Sequence, residues 1–128
     1  GLSGAATRTG TLLGSPRYMS PEQVRRSKAI DHRSDLWSLG VVIFEGLTGQ
    51  PPFQGEEVGE LLVAICTANI PAASEVAPGL APEVDRFLAR ALHREPELRF
   101  QSAQELAAAF NEAVRSSRAP AASTLSAA

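Results

Sequence analysis

The hydrophobic residues of the chain are densest in SDLWSLGVVIFEGLTG, at residues 34–49. This stretch predicts a helix that begins at an N-cap of Ser34 or Asp35 and ends at Gly49, because two prolines follow at positions 51 and 52. Its apolar side chains cover nearly the whole circumference of the helix; they are Leu36, Trp37, Leu39, Val41, Val42, Ile43, Phe44 and Leu47. The pattern is typical of a helix that is surrounded by protein.

Four other segments place apolar residues at helical spacing. They lie at residues 20–26, 56–69, 81–94 and 102–115. Ser20 with Gln23, and Ser102 with Glu105, have the spacing of a capping box, which marks the start of a helix. Cys66 is expected on the buried apolar stripe of its segment. No segment predicts a strand, so we expect a mainly α fold with about five helices.

Both ends of the chain consist largely of small and polar residues. Residues 1–14 contain four glycines and several hydroxyl side chains, which predicts an irregular, mobile loop. Residues 115–128 are rich in Ala, Ser and Pro, which predicts a disordered linker or tail. The chain begins with Gly rather than Met, and we interpret it as a fragment of a longer protein.

Composition argues against several kinds of function. The formal net charge of −2 and the absence of a Lys/Arg cluster argue against nucleic-acid binding. Cys66 is the only cysteine, and with His32 and His93 far away in sequence it gives no metal-ligand spacing, so we expect no metal site. No apolar run reaches about 18 residues, so no membrane segment is predicted. We expect a cytoplasmic location, with any membrane anchor beyond the tail.

The segment GSPRYMSPEQ, residues 14–23, is explained on its own by a turn and a helix cap. Two further motifs follow this segment and make its position informative: first DHRSDLWSLGVVIFEGLTGQPPF and then LHREPELRF. These three motifs, in this order and spacing, resemble the C-terminal half of the catalytic domain of eukaryotic-like serine/threonine protein kinases, particularly the bacterial branch. The sequence SPEQ stands where that family has its Ala-Pro-Glu motif.

The resemblance covers residues 1–113 approximately and implies a domain organisation. Residues 1–19 would form the activation segment and substrate loop, residues 20–114 the helical lobe called the C-lobe, and residues 115–128 a linker or tail. The kinase domain would be incomplete in this chain, because its N-lobe and catalytic loop would lie in other parts of the parent protein.

The resemblance also implies roles for particular residues. Three threonines lie where kinases carry activation-loop phosphorylation sites: Thr7, Thr9 and Thr11. Ser15 matches the substrate-loop hydroxyl that hydrogen-bonds the catalytic aspartate and lysine. The next three residues would shape the surface that reads the residue after the phosphoacceptor; they are Pro16, Arg17 and Tyr18.

Two further roles concern the helical lobe. Glu22 would pair with Arg99 and fix the substrate loop onto the helices, although Glu95 replaces the more usual aspartate before Pro96. Asp35 would accept hydrogen bonds from the catalytic-loop backbone and anchor that loop. From its position alone, Asp35 is equally a carboxylate favoured by the helix dipole.

The motifs that perform phosphoryl transfer are absent from this sequence. It has no Gly-rich loop, no His-Arg-Asp loop and no magnesium-binding aspartate, and Lys28, the only lysine, follows no strand. No residue here is therefore assigned a catalytic role, and we predict that the fragment alone is inactive. The intact parent would use ATP and Mg²⁺ to phosphorylate Ser or Thr of a protein substrate. Two alternatives stay open, a pseudokinase and a non-catalytic helical protein-interaction module.

Overall fold

The fold is taken from a computed structural model that describes the backbone of residues 16–127 and the side chains of residues 16–117. Within these ranges six α-helices follow one another: α1 Pro21–Val24, α2 His32–Thr48, α3 Val58–Thr67, α4 Ala73–Val76, α5 Pro82–Ala91 and α6 Ala103–Ala127. Two 3-10 turns, Pro16–Tyr18 and Pro96–Leu98, precede α1 and α6. No strand occurs among the described residues, and the predicted mainly α class is confirmed.

Helix α2 begins earlier than its sequence predicts. Its N-cap is Asp31, whose carboxylate accepts a hydrogen bond from the backbone nitrogen of Arg33 at 2.9 Å. The prediction of Ser34 or Asp35 as N-cap is wrong, because Asp31 already supplies an acceptor for the free N–H groups of the first turn. The predicted end is correct. Gly49 adopts the left-handed conformation, with φ 78°, that commonly closes a helix.

Helix α2 lies between two hydrophobic clusters. The first cluster joins α2 to α4, α5 and α6 and consists of Leu36, Phe44, Ala73, Val84, Phe87, Leu88, Ala91, Phe100, Leu106 and Ala113. The second joins α2 to α3 and consists of Trp37, Val41, Phe53, Ile65 and Leu92. The two clusters account for two faces of the helix.

The third face of α2 is open. Leu39 and Val42 are 42% and 50% exposed, and Asp35 lies on the same face, one turn before Leu39 and two turns before Val42. The expectation of a helix enclosed on every side is therefore not met within the described residues. These side chains border a shallow depression of about 440 Å³ together with Tyr18 and Ser38.

Helix α2 packs closely on the end of α5 at a glycine. A Cβ placed on Gly40 would lie 3.0 Å from a methyl carbon of Leu92 and 3.1 Å from the Cβ of Ala91. Residue 40 therefore has room for little more than hydrogen, and this contact sets how near α5 approaches α2.

Helix α3 is shorter than predicted. Its first turn is capped by Glu57 and Glu60, which together form a capping box. Ile65 is buried, Cys66 is half-buried, and Val58 is exposed, so the buried stripe is narrower than the sequence suggests. The single turn α4 was not predicted, because its four residues are too few to show a hydrophobic period.

Helix α6 starts where the sequence predicts. The Ser102 hydroxyl accepts a hydrogen bond from the Glu105 backbone nitrogen at 3.0 Å. The Glu105 carboxylate accepts from the backbone nitrogen of Gln101 at 2.6 Å, one residue before the position that a capping box requires. The helical backbone continues to Ala127, and the assignment of residues 115–128 as a linker or tail stays a prediction.

No helix among residues 16–127 combines the length and the apolar character needed to cross a bilayer.

Candidate functional site

The structure describes only part of the predicted site. Thr7, Thr9, Thr11 and Ser15 lie outside the described residues. Their assignments as phosphorylation sites and substrate-loop hydroxyl stay predictions.

The segment Pro16–Tyr18 forms a 3-10 turn against helix α2. The Tyr18 hydroxyl donates a hydrogen bond to Glu45 Oε1 at 3.0 Å, and the Ser38 hydroxyl donates to the Tyr18 carbonyl oxygen at 2.6 Å. Pro16 is buried, whereas Arg17 is exposed. The turn is therefore fixed at its backbone and at its last side chain, and the guanidinium of Arg17 remains at the surface.

Glu45 is a member of this site that the sequence did not suggest. Arg17 donates to the Tyr18 hydroxyl at 3.2 Å and lies 3.6 Å from Glu45, so the three side chains form one cluster. The hydrogen bond to Tyr18 and the charge of Glu45 raise the pKa of Arg17. A carboxylate within the apolar run of α2 is the only sequence signal that could have indicated Glu45.

Glu22 and Arg99 meet in a buried, bidentate ion pair across 77 residues of chain. Arg99 donates from Nη1 to Glu22 Oε2 and from Nη2 to Glu22 Oε1, both at 2.7 Å. Arg99 is 1% exposed and Glu22 is 9% exposed. This geometry is the planar fork that makes arginine a preferred partner of buried carboxylates.

The remaining donors of Arg99 are satisfied by backbone carbonyl oxygens. Its guanidinium donates to His93 O at 2.6 Å, to Arg33 O at 3.1 Å and to Arg94 O at 3.2 Å. The guanidinium carbon also lies 5.0 Å from the ring centroid of Trp37. Arg99 therefore joins the start of α2, the end of α5 and the helix start at Glu22.

Two serines extend the pair into a buried hydrogen-bond network. The Ser34 hydroxyl donates to Glu22 Oε2 at 2.6 Å, and the Ser20 hydroxyl donates to Ser34 Oγ at 3.0 Å. Ser20 also forms the predicted capping box with Gln23, which accepts from the Ser20 backbone nitrogen at 2.9 Å. The cap and the ion pair are thus parts of one network, and neither interpretation of SPEQ excludes the other. Ser34, which the sequence predicted as a possible N-cap of α2, instead belongs to this hydrogen-bond network.

The pKa of Glu22 reflects these contacts. Burial raises the pKa of its carboxyl group, but hydrogen bonds from Arg99 and Ser34 outweigh burial and lower the pKa to about 2. Glu22 is therefore ionised at neutral pH, and Arg99 has a charged partner there.

Asp35 is exposed in the first turn of α2, on the open face of that helix. No hydrogen-bond partner for its side chain lies within residues 16–117. The carboxylate is consistent with the predicted anchor of another segment and with a charge favoured by the helix dipole.

Side chains that could hold a metal ion are not clustered among the described residues. No group of three or more His, Cys, Asp or Glu side chains lies close enough together, within this part of the chain, to hold one. No step of catalysis is assigned to these side chains.

A cleft of about 580 Å³ lies beside the Pro16–Tyr18 turn. Its walls include Arg17, Phe53 and Leu61, which belong to the turn, the loop after α2 and helix α3. The described part of the site is a helical support with an anchored turn and a neighbouring cleft.

Comparison with known proteins places the chain in a family. A family model for the protein kinase domain matches residues 1–110. The serine/threonine-protein kinase PknL of Mycobacterium tuberculosis is 42% identical over 97 residues, which cover 76% of this chain and 24% of that protein. PknH of Mycobacterium bovis is 35% identical over 108 residues, 84% of this chain and 18% of that protein.

A third relative extends the match further along this chain. PknD of Mycobacterium tuberculosis is 34% identical over 120 residues, 93% of this chain and 18% of that protein. The chain thus spans about a quarter or less of the length of the curated relatives it matches. The resemblance read from the three motifs is confirmed, and an unrelated helical interaction module is excluded. The chain belongs to the protein kinase domain family, and the relatives that it matches are serine/threonine kinases of bacteria.

Proposed function

We propose that the intact protein transfers the γ-phosphoryl group of magnesium ATP to Ser or Thr residues of a protein, and that this chain supplies the substrate platform. The observation that carries the proposal is the Glu22–Arg99 pair, which fixes the SPEQ segment onto the helices. Glu22 lies four residues after Tyr18. The family match and the names of the relatives support the same reaction.

The anchored turn would hold the substrate peptide. Tyr18 is fixed to α2 through Glu45 and Ser38, so Arg17, next to the buried Pro16, lies in a defined position beside the cleft. A surface fixed in advance costs less ordering entropy when a peptide binds. Ser15, directly before this turn, is proposed to contact the catalytic aspartate and lysine of the parent.

The open face of α2 would receive the catalytic loop of the same protein. Leu39 and Val42 are exposed there, and Asp35 offers a carboxylate at the same face. A backbone segment with free N–H groups could bind the Asp35 carboxylate while its apolar side chains cover Leu39 and Val42. In isolation this chain would leave that surface in water, which is consistent with the proposal that the fragment alone is inactive and prone to aggregate.

Because ATP is abundant inside cells, we also place this part of the protein in the cytoplasm. Thr7, Thr9 and Thr11 are proposed as sites whose phosphorylation orders the activation segment.

The experiment uses the intact parent protein, purified and incubated with magnesium ATP and an array of Ser- and Thr-containing peptides. Mass spectrometry should find phosphate on Ser or Thr residues. A parent that binds ATP but phosphorylates no peptide and none of its own residues would contradict the proposal and would indicate a pseudokinase.

A further inference from the structure

The C-terminal end of helix α3 is held by an arginine from another part of the chain. The last carbonyl groups of a helix have no partners within it. Arg94, in the loop after α5, donates from Nε to Ile65 O at 2.9 Å and from Nη2 to Ala64 O at 3.3 Å. Its Nη2 also donates to the carbonyl oxygen of Ala68. One guanidinium thus binds three carbonyls at the negative end of the helix dipole.

The same arginine begins a series of stacked side chains. Its guanidinium carbon lies 5.8 Å from the ring centroid of Phe53. The Phe53 ring stacks on Trp37, with centroids 5.8 Å apart and an interplanar angle of 6°. Trp37 is in turn 5.0 Å from the guanidinium carbon of Arg99. Arg94, Phe53, Trp37 and Arg99 therefore form a continuous column.

A hydrogen bond closes this column at the backbone. Arg99 donates from Nη2 to the carbonyl oxygen of Arg94 at 3.2 Å. Arg99 therefore fixes the backbone from which the Arg94 side chain extends, while it also binds Glu22. Helix α3 is consequently connected to the Glu22–Arg99 pair by two routes, one through the rings and one through the backbone.

The position of α3 matters because this helix borders the cleft beside the substrate loop. Leu61 of α3 and Phe53 line that cleft opposite Arg17. Helix α3 also packs directly against the Pro16–Tyr18 turn. A shift of α3 would therefore change the shape of the cleft and the surface against which the Pro16–Tyr18 turn packs.

We propose that Arg94 is a positioning residue that fixes α3, and with it the cleft beside the substrate loop, to the Glu22–Arg99 pair. Its effect on phosphorylation rests on the proposed function, with this cleft binding part of the peptide substrate. Its effect on the attachment of α3 does not depend on any activity. Arg94 acts through the peptide-binding surface and takes no part in the transfer of the phosphoryl group.

The kinetic experiment compares Arg94→Met with Arg90→Met in the intact kinase, using the best peptide from the array. Arg90 is a matched control, because its guanidinium lies 4.2 Å from the Phe100 ring and 2.9 Å from Glu105, on the side of α6. In Arg94→Met the KM for peptide should rise about tenfold or more, the scale of a lost charge-assisted hydrogen bond. The KM for ATP and kcat should change by less than about twofold, since α3 does not contact the nucleotide in this proposal.

Arg94→Lys should recover part of the peptide KM, because lysine restores the charge but cannot bind three carbonyls as a planar fork. An unchanged peptide KM in Arg94→Met would overturn the proposal. So would an equal rise in Arg90→Met, since that rise would reflect a general loss of stability.

Hydrogen exchange separates this inference from the proposed function. Amides of residues 58–67 should exchange faster in Arg94→Met than in the wild type or in Arg90→Met, whether or not the protein is an active kinase. If the parent phosphorylates nothing but α3 exchanges faster, the attachment of α3 stands and the proposed function fails. If α3 exchanges as in the wild type, Arg94 does not position this helix and the inference is wrong.

Discussion

Replacing Glu22 by Ala would leave the guanidinium of Arg99 buried without its charged partner. Removing one member of a buried ion pair typically costs about 3–5 kcal/mol. The pKa of Glu22 gives a similar figure, since a fall from 4.5 to about 2 corresponds to about 3 kcal/mol. We therefore expect Glu22→Ala and Arg99→Ala each to lower the free energy of unfolding by about 3–5 kcal/mol.

The two effects should be strongly non-additive. Once one charge is removed, removing the other no longer leaves a buried charge without a partner. The double variant should therefore lose less unfolding free energy than the two single variants together, by about 2 kcal/mol or more. The assay is urea unfolding of the intact kinase for the four members of the double-mutant cycle, followed by circular dichroism.

A control pair lies on the surface of α6. Glu112 and Arg115 are 3.0 Å apart, but their side chains are 68% and 71% exposed. Their Ala variants should each cost less than about 1 kcal/mol, with little coupling. If the Glu22–Arg99 cycle shows no more coupling than the Glu112–Arg115 cycle, the buried pair does not stabilise the protein in the way proposed here.

Three further predictions concern pH, packing and regulation. The pKa of Glu22 is lower in the folded protein than in the unfolded chain. The stability that Glu22 contributes is therefore present above about pH 4.5 and is lost as the pH falls towards 2. Glu22→Gln should flatten this part of the curve of unfolding free energy against pH. Gly40→Ala should destabilise the protein by about 1–3 kcal/mol, because the added methyl group would crowd α5. Gly59→Ala should not destabilise it, because a Cβ there meets nothing within 4 Å. Equal melting temperatures for the two variants would contradict this packing argument. Replacing Thr7 and Thr9 together by Ala should lower peptide phosphorylation by the intact kinase, and an unchanged rate would remove them as regulatory sites.

Local signals in the sequence were sufficient to predict most of the helices. The capping box at Ser20 and Gln23 and the glycine end at Gly49 depend on neighbours within a few residues, and the structure contains both. The start of α2 was misplaced because three acidic or hydroxyl residues compete for the N-cap, and only the packed structure shows that Asp31 takes it.

Contacts between distant segments were harder to predict. The Glu22–Arg99 pair was proposed only because the spacing of its motifs resembles a known family. Glu45 and Arg94 carry no such motif, since their partners lie 26 residues or more away and the spacing of charges does not reveal them. The stack of Phe53 on Trp37 likewise depends on how the loop after α2 folds back onto that helix.

We propose above all that the Glu22–Arg99 pair holds the substrate loop of a serine/threonine kinase in its working position. Steady-state phosphorylation of a Ser/Thr peptide by the intact kinase tests it most directly, with wild type and Glu22→Gln compared at equal folded concentration. Gln keeps the shape of Glu22 but removes the charge that Arg99 binds, so kcat/KM for peptide should fall by about a hundredfold, the equivalent of about 3 kcal/mol. A wild-type enzyme with no transfer to Ser or Thr, or a folded Glu22→Gln variant as fast as wild type, would contradict the account.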